Sequence, residues 1–157
     1  MDLVILIGLQ GAGKTTFYRT RFAATHEHVS KDRLRHNKKP SRRQAQLIDE
    51  ALRAGRSVVV DNTNPTVADR ARLIALGHAH GARISGYYFA PSVSGSLQRN
   101  REREGSARVP DVAIYATSKK LTPPSYAEGF DTLYEVRIAD NGAFEVHEWT
   151  DSDDAIS

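Results

Sequence analysis

The chain has 157 residues, and 22 Lys/Arg against 19 Asp/Glu leave a net charge of +3. With 39% hydrophobic and 26% charged residues, the composition sets aside a disordered segment, a collagen-like fibre and a membrane-spanning protein. There is no cysteine, so disulfides, thiolate metal sites and cysteine nucleophiles are excluded. The longest apolar runs, Leu3 to Ile7 and Val58 to Val60, fall far short of the ~20 residues that a spanning helix needs. A cysteine-free chain suits a reducing compartment. The opening MDLVILIG carries no basic-then-apolar leader, so a cytoplasmic location is the expectation. At about 150 residues per domain, one domain is expected.

The predicted elements alternate. Leu3 to Ile7 is a continuous β-branched and leucine run, as suits a strand buried on both faces. Gly13 to Ala23 reads as a helix, and Val29 ends a short strand. Ser41 to Ala54 reads as a helix with a Ser41–Gln44 capping box, an apolar stripe of Ala45, Leu47, Ile48, Ala51 and Leu52, and Gly55 at its end. Ser57 to Val60 is a second buried strand. Thr66 caps a helix running to Ala79 and stopping near Gly81. Ile84 to Phe89 is a strand, and Ser92 to Arg101 a helix. Pro110 opens another helix, with Asp111 in its first turn. Thr132 to Ile138 and Phe144 to Trp149 are strands joined by an Asp140-Asn141-Gly142 turn. This alternation predicts an α/β fold: a parallel sheet flanked by helices, with a C-terminal antiparallel edge hairpin. The predicted layout is one domain over 1–149 and a short acidic tail over 150–157.

Charge is concentrated. Residues 19 to 43 hold nine Lys/Arg against two acids, Glu27 and Asp32. Two readings are open: a patch that meets a polyanion, or a solvated helix face with its loop. No aromatic-rich stacking platform accompanies it. The six histidines show no metal-ligand spacing and read as surface residues.

Gly8-Leu9-Gln10-Gly11-Ala12-Gly13-Lys14-Thr15 fits G-x-x-x-x-G-K-[ST]. It follows a strand and opens a helix, the context a P-loop requires. Backbone N–H groups of Gly11, Ala12, Gly13, Lys14, Thr15 and Thr16 are expected to cradle the phosphates of ATP or another NTP. Lys14 would reach the β/γ-phosphates, and Thr15 would hold Mg²⁺. Asp61, after Val58-Val59-Val60, falls at the carboxyl end of a strand, where ligands bind in such sheets. It is the expected second metal-side group. Asp32, in Ser30-Lys31-Asp32-Arg33-Leu34-Arg35, lies beyond the next strand and is placed to take a proton from an acceptor hydroxyl. Arg35 would grip an acceptor phosphate. On spacing alone, a helix-start aspartate among surface arginines reads as well.

Four stretches together resemble the kinase domain of the 5′-polynucleotide kinase family: GLQGAGKTTF (8–17), VSKDRLR (29–35), VVVDNTNPTVADRARL (58–73) and RNREREGSARVPDVAIYATSKKLTPPSYAEGFDTLYEV (99–136). The last two are more specific than the P-loop. The resemblance implies a P-loop kinase fold and ATP-dependent, Mg²⁺-assisted transfer of the γ-phosphate to a 5′-hydroxyl end of DNA or RNA. It makes Asp32 the general base and Arg35 the clamp on the acceptor nucleotide. It sets Asp61 and Asn64 in a strand-end motif that supports the metal and the active-site loops. It implies a lid around 99–110 whose arginine, Arg103 or Arg101, meets the transition-state charge. It also implies nucleic-acid 5′-OH ends as partner. No phosphatase segment is attached, so separate ligase or phosphatase chains, and a monomer or weak oligomer, are the expectation. A small-molecule kinase on the same scaffold is the first alternative, because fold does not fix substrate. A nucleotide-binding regulatory module without transfer is the second.

Overall fold

The computed structural model describes residues 1–34 and 36–150. Its centre is β1 (Asp2–Ile7), the first apolar run, in which every residue from Leu3 onward is buried. Strand alternation sends Leu3, Ile5 and Ile7 to one face and Val4 and Leu6 to the other. A strand covered on both faces must lie inside its sheet, and β1 does.

The remaining strands are β2 (Glu27–Val29), β3 (Val58–Asp61), β4 (Arg83–Phe89), β5 (Thr132–Ile138) and β6 (Phe144–Glu148). They form one six-stranded sheet in the order β2-β3-β1-β4-β5-β6. All pairings are parallel except β5 with β6, which is antiparallel with Val136 opposite Val146. The predicted edge hairpin is therefore present.

Among the described residues, five α-helices flank the sheet: α1 (Lys14–Arg21), α2 (Pro40–Arg53), α3 (Val67–Ala79), α4 (Val93–Arg101) and α5 (Asp111–Lys120). One core layer joins the Leu3/Ile5/Ile7 face to Ile48 and Leu52 of α2 and to Leu73 and Ile74 of α3. The other joins Val4 and Leu6 to Phe17 of α1, Phe22, and Phe89 and Val136 of the sheet. Phe17 lies edge-on to both Phe89 and Phe144, so α1 is packed under the β5–β6 hairpin.

Local capping chemistry sets several boundaries. Thr66 accepts from Asp69 N–H at the start of α3, and Ser92 accepts from Gly95 N–H at the start of α4. Pro110 precedes α5. The Ser41–Gln44 capping box does not form. α2 starts a residue earlier, at Pro40, with no side-chain cap, and the Gln44 side chain is buried and accepts from Asn62 Nδ2 at 2.6 Å. A tertiary partner takes the group that a local rule assigned to the helix end. Ala45, placed in the apolar stripe, is exposed; Ile48, Ala51 and Leu52 carry the contact.

The strand order has one consequence for function. β1 and β3 are neighbours, with Leu6 opposite Asp61, so the loops leaving their carboxyl ends lie side by side. β2 is the next strand, so the segment after Val29 joins the same rim.

Candidate functional site at the carboxyl edge of the sheet

The loop between β1 and α1 turns on two glycines. Gly11 has φ 73° and Gly13 φ 90°, conformations that glycine adopts without a Cβ penalty. A Cβ on Gly11 would also come within 2.7 Å of the Ser96 carbonyl oxygen of α4. Only a glycine lets α4 approach this closely. The Arg99 side chain of α4 then donates to the Gly11 carbonyl oxygen, tying α4 to the loop. On the other side, Gln10 donates to Thr117 Oγ1 of α5 at 3.0 Å.

Lys14 begins α1 and is 7% exposed. Its Nζ donates to the carbonyl oxygens of Gly8, at 3.0 Å, and Leu9, at 2.6 Å. Burial pushes its ammonium down from 10.5 to about 8. The charges of Asp61 and Asp32 oppose that shift, and the charge of Arg103 adds to it. These three groups are thus within electrostatic reach of the P-loop lysine, although they come from three separate stretches of sequence.

Thr15 Oγ1 donates to Asp61 Oδ2 at 2.7 Å. The His28 ring reaches the same oxygen, Nε2 to Oδ2 2.7 Å. Burial alone would raise the Asp61 carboxyl, but the hydrogen bonds from His28 and Thr15 and the charge of Lys14 outweigh it. Asp61 therefore lies below the usual carboxylate range. A cluster of turned-in glycines, a buried ammonium and a hydroxyl–carboxylate pair is the donor set that a polyphosphate with a divalent cation requires. The residues present fit that group.

A cavity of about 540 Å³ opens in front of this cluster. Gln10, Gly11, Lys14, Thr15 and Asp61 line its P-loop end, and Lys31 and Asp32 its rim after β2. Ser41, Gln44 and Ala45 of α2 face Ala68, Arg72 and Leu73 of α3 across it, with Arg103 and Lys120 on the remaining side. Asp32 sits in an exposed 3₁₀ turn, Lys31–Leu34. Ala12 is buried in the loop, and Thr16 is exposed on the first turn of α1. Arg35, the expected phosphate clamp, lies outside the described residues, as does the tail over 151–157.

The two lid candidates separate. Arg103 lines the cavity and donates to the Ala107 carbonyl at 3.2 Å, whereas Arg101 is exposed and is not among the cavity-lining residues. Asn64 lines the cavity, but its side chain is 5% exposed and its Nδ2 donates to the Leu6 carbonyl at 2.8 Å. Its backbone has φ 45°, a left-handed conformation that asparagine tolerates better than most residues. Asn64 thus binds the β3–α3 loop to the end of β1.

Several residues that organise this site are ones to which the sequence reading gave no role. Arg70 is fully buried and pairs with Glu128, while its Nη1 donates to the carbonyls of Asn64, at 3.2 Å, and Thr122, at 3.0 Å. Its spacing holds a signal: Arg70, Leu73, Ile74 and Gly77 are the buried positions of α3 and follow i, i+3, i+4, i+7. Asn100, fully buried at the end of α4, donates to the Val109 carbonyl at 2.7 Å and accepts from its N–H at 3.0 Å. It closes the loop that carries Arg103. His26 and His28 are partly buried rather than superficial, with side chains 10% and 9% exposed. Strand alternation puts His28 on the face opposite Val29, which is the α1 side.

The fold and this site define a nucleotide-binding P-loop domain of the NTPase/kinase type. The sequence profile of the AAA domain matches residues 3–124, and the chain belongs to that family. The bifunctional polynucleotide phosphatase/kinase of Schizosaccharomyces pombe is 27% identical over 139 residues, which is 86% of this chain and 33% of the relative. The putative counterpart from Acanthamoeba polyphaga mimivirus is 27% identical over 142 residues, again 86% of this chain and 33% of the relative. The chain thus spans about a third of the length of the curated relatives it matches. A gluconokinase from Sinorhizobium meliloti shares the fold, with a TM-score of 0.63 at 20% identity over 88% of this chain and 83% of that one. Among the described residues no helix is long and apolar enough to cross a membrane.

Proposed function

We propose that this chain is an ATP-dependent polynucleotide 5′-hydroxyl kinase. The observation that carries the reading is the single cavity in which the P-loop group, Lys14, Thr15 and Asp61, faces Asp32 and Arg103 between basic walls supplied by Lys31, Arg72 and Lys120. Two curated relatives named polynucleotide phosphatase/kinase support the choice of acceptor. A cationic wall suits an acceptor that carries phosphates and gives a neutral sugar little to bind.

The proposed roles rest on position, except that of Arg35, which rests on the family resemblance. Asp32 accepts the proton of the acceptor hydroxyl as that oxygen bonds to the γ-phosphorus. The bond from phosphorus to the β–γ bridging oxygen breaks, and ADP leaves. Lys14 and Arg103 hold the charge that spreads over the transferred oxygens. Arg35 grips the phosphate that follows the acceptor nucleoside. Thr15 and Asp61 are the residues that would hold Mg²⁺, which supplies charge neutralisation between the β- and γ-phosphates when bound. Asn64 and Arg70 keep the loop behind Asp61 in place, and Asn100 does the same for the loop that bears Arg103.

The test is transfer of label from γ-labelled ATP to 5′-OH oligonucleotides, nucleosides and simple sugars, with a matched Lys14→Ala protein. Label on oligonucleotides that is lost in the variant and falls steeply with salt is the expected result, because phosphate contacts release counterions. Label confined to nucleosides or sugars would overturn the acceptor. Nucleotide binding with no label on any acceptor would overturn transfer itself.

A further inference from the structure

We propose that His28 is a positioning residue that fixes the Asp61 carboxylate by donating from Nε2 to Oδ2, so that Oδ1 is the oxygen presented to the phosphate-bound cation. The inference rests on the reading that Asp61 serves the metal side of the site.

Four observations carry it. The His28 side chain is only 9% exposed, and its Nε2 lies 2.7 Å from Asp61 Oδ2, the same oxygen that accepts from Thr15 Oγ1 at 2.7 Å. Two donors therefore converge on one carboxylate oxygen, and among the described residues neither addresses Oδ1. An ionised carboxylate only accepts, so Nε2 is the protonated nitrogen in this pair. His28 Nδ1 is buried and has no hydrogen-bond partner. The ring is thus committed to one bond, although a polar atom buried without a partner has a cost. Finally, the ring is clamped: Tyr18 lies against it with centroids 4.4 Å apart, and Tyr18 Oη donates to the His26 carbonyl at 2.6 Å. The clamp ties the ring to α1, the helix that supplies Lys14 and Thr15.

Geometry explains why Asp61 needs this help. It is the last residue of β3, and the chain beyond it turns at once into the Asn62–Pro65 loop. A strand-end side chain with one hydroxyl partner could rotate about χ1 and χ2. A second donor on the same oxygen removes that freedom, and partners one step removed from a metal characteristically act in this way.

The test compares His28→Ala, His28→Gln and Asp61→Asn. Nucleotide affinity is measured in Mg²⁺ and in EDTA, and thermal stability is measured without either ligand. The glutamine keeps an N–H donor of similar reach. We expect His28→Ala to weaken the Mg²⁺-dependent part of binding by about tenfold or more, with affinity in EDTA unchanged. His28→Gln should recover most of the loss. A crystal structure of the metal-free His28→Ala protein should show the Asp61 carboxylate turned away from Thr15. Asp61→Asn that keeps full Mg²⁺ dependence would overturn the reading of Asp61 itself. Asp61→Asn that loses it while His28→Ala does not would overturn the role of His28 alone. Equal losses with and without Mg²⁺ in both His28 variants, together with lowered melting temperatures, would assign His28 to folding and also overturn the proposal.

Discussion

Arg70 and Glu128 form a bidentate ion pair in the interior, Nε to Oε1 at 2.8 Å and Nη2 to Oε2 at 3.1 Å, although 58 residues separate them in sequence. The pair joins α3 to the 3₁₀ turn Tyr126–Glu128 that precedes β5. Glu128 Oε2 also accepts from Ser125 N–H at 2.9 Å, so the carboxylate accepts three hydrogen bonds in all. The remaining guanidinium nitrogen, Nη1, holds the Asn64 carbonyl of the β3–α3 loop and the Thr122 carbonyl beyond α5. Glu128→Ala would leave a buried guanidinium without its counter-charge. The expected cost is about 3–5 kcal/mol of stability, read from urea denaturation. Arg70→Leu with Glu128→Ala should cost less than the sum of the single changes. A loss for Glu128→Ala as small as that of an exposed pair would contradict this account.

Lys14 gives a pH dependence with a definite sign. Its ammonium is depressed by burial to about 8, against 10.5 in an unfolded chain. Between those values the unfolded chain binds more protons, so the Lys14 contribution makes the protein free of nucleotide more stable as pH rises through that window. Nucleotide binding has the opposite trend. A neutral amine must take up a proton to meet the phosphates, so affinity should fall by up to about tenfold per pH unit above pH 8. Calorimetry at pH 8.5 in two buffers of different ionisation enthalpy should report proton uptake on binding, and Lys14→Met should abolish it.

Asp32 tests transfer separately from binding. It sits on the exposed rim of the cavity and makes no contact with the P-loop backbone in the described hydrogen bonds. Asp32→Asn should lower kcat by about 10²–10⁴ and leave the nucleotide Kd unchanged. Single-turnover kinetics with saturating acceptor would check it. Full turnover by the variant would remove Asp32 from the role of base.

Asn100 tests the loop that carries Arg103. Losing both of its bonds to Val109 should cost about 1–3 kcal/mol and free the segment between them. Trypsin should then cut at Arg101, Arg103 or Arg108 sooner than in the parent. Turnover should fall in the same direction as in Arg103→Ala, with the acceptor KM little changed. Parent-like protease resistance in Asn100→Ala would show that the loop does not depend on this clasp.

What could be read from the sequence was local. The Thr66 cap, the Pro110 start and the hairpin turn depend on residues a few positions apart, and all stand as expected. The P-loop is equally local, because its glycines, Lys14 and Thr15 all fall within the single stretch from Gly8 to Thr15. The parts that escaped are tertiary. Gln44 satisfies the helix-cap pattern, yet Asn62 claims its side chain. His28 looks like a solvated strand residue until α1 and β3 close around it. Arg70 violates the expectation that a charge faces water, and its partner could not be named from spacing. In each case a polar group is buried because a distant partner makes its burial tolerable, and a window of sequence holds only one member of the pair.

The β5–β6 hairpin bears on where this chain can be cut. The AAA-domain match ends at residue 124, yet β5 supplies the neighbour of β4. Leu133 and Val136 are core residues of the two layers, and Phe144 lies against Phe17 at the root of the P-loop helix. A fragment ending at Pro124 would keep every residue assigned to phosphate and acceptor. It would also present β4 as a bare, apolar strand edge bearing Tyr87 and Phe89, a template for pairing with other chains. Such a fragment should accumulate as aggregate rather than as a weakened enzyme, so the minimal folding unit extends through Trp149, well past the end of the AAA-domain match.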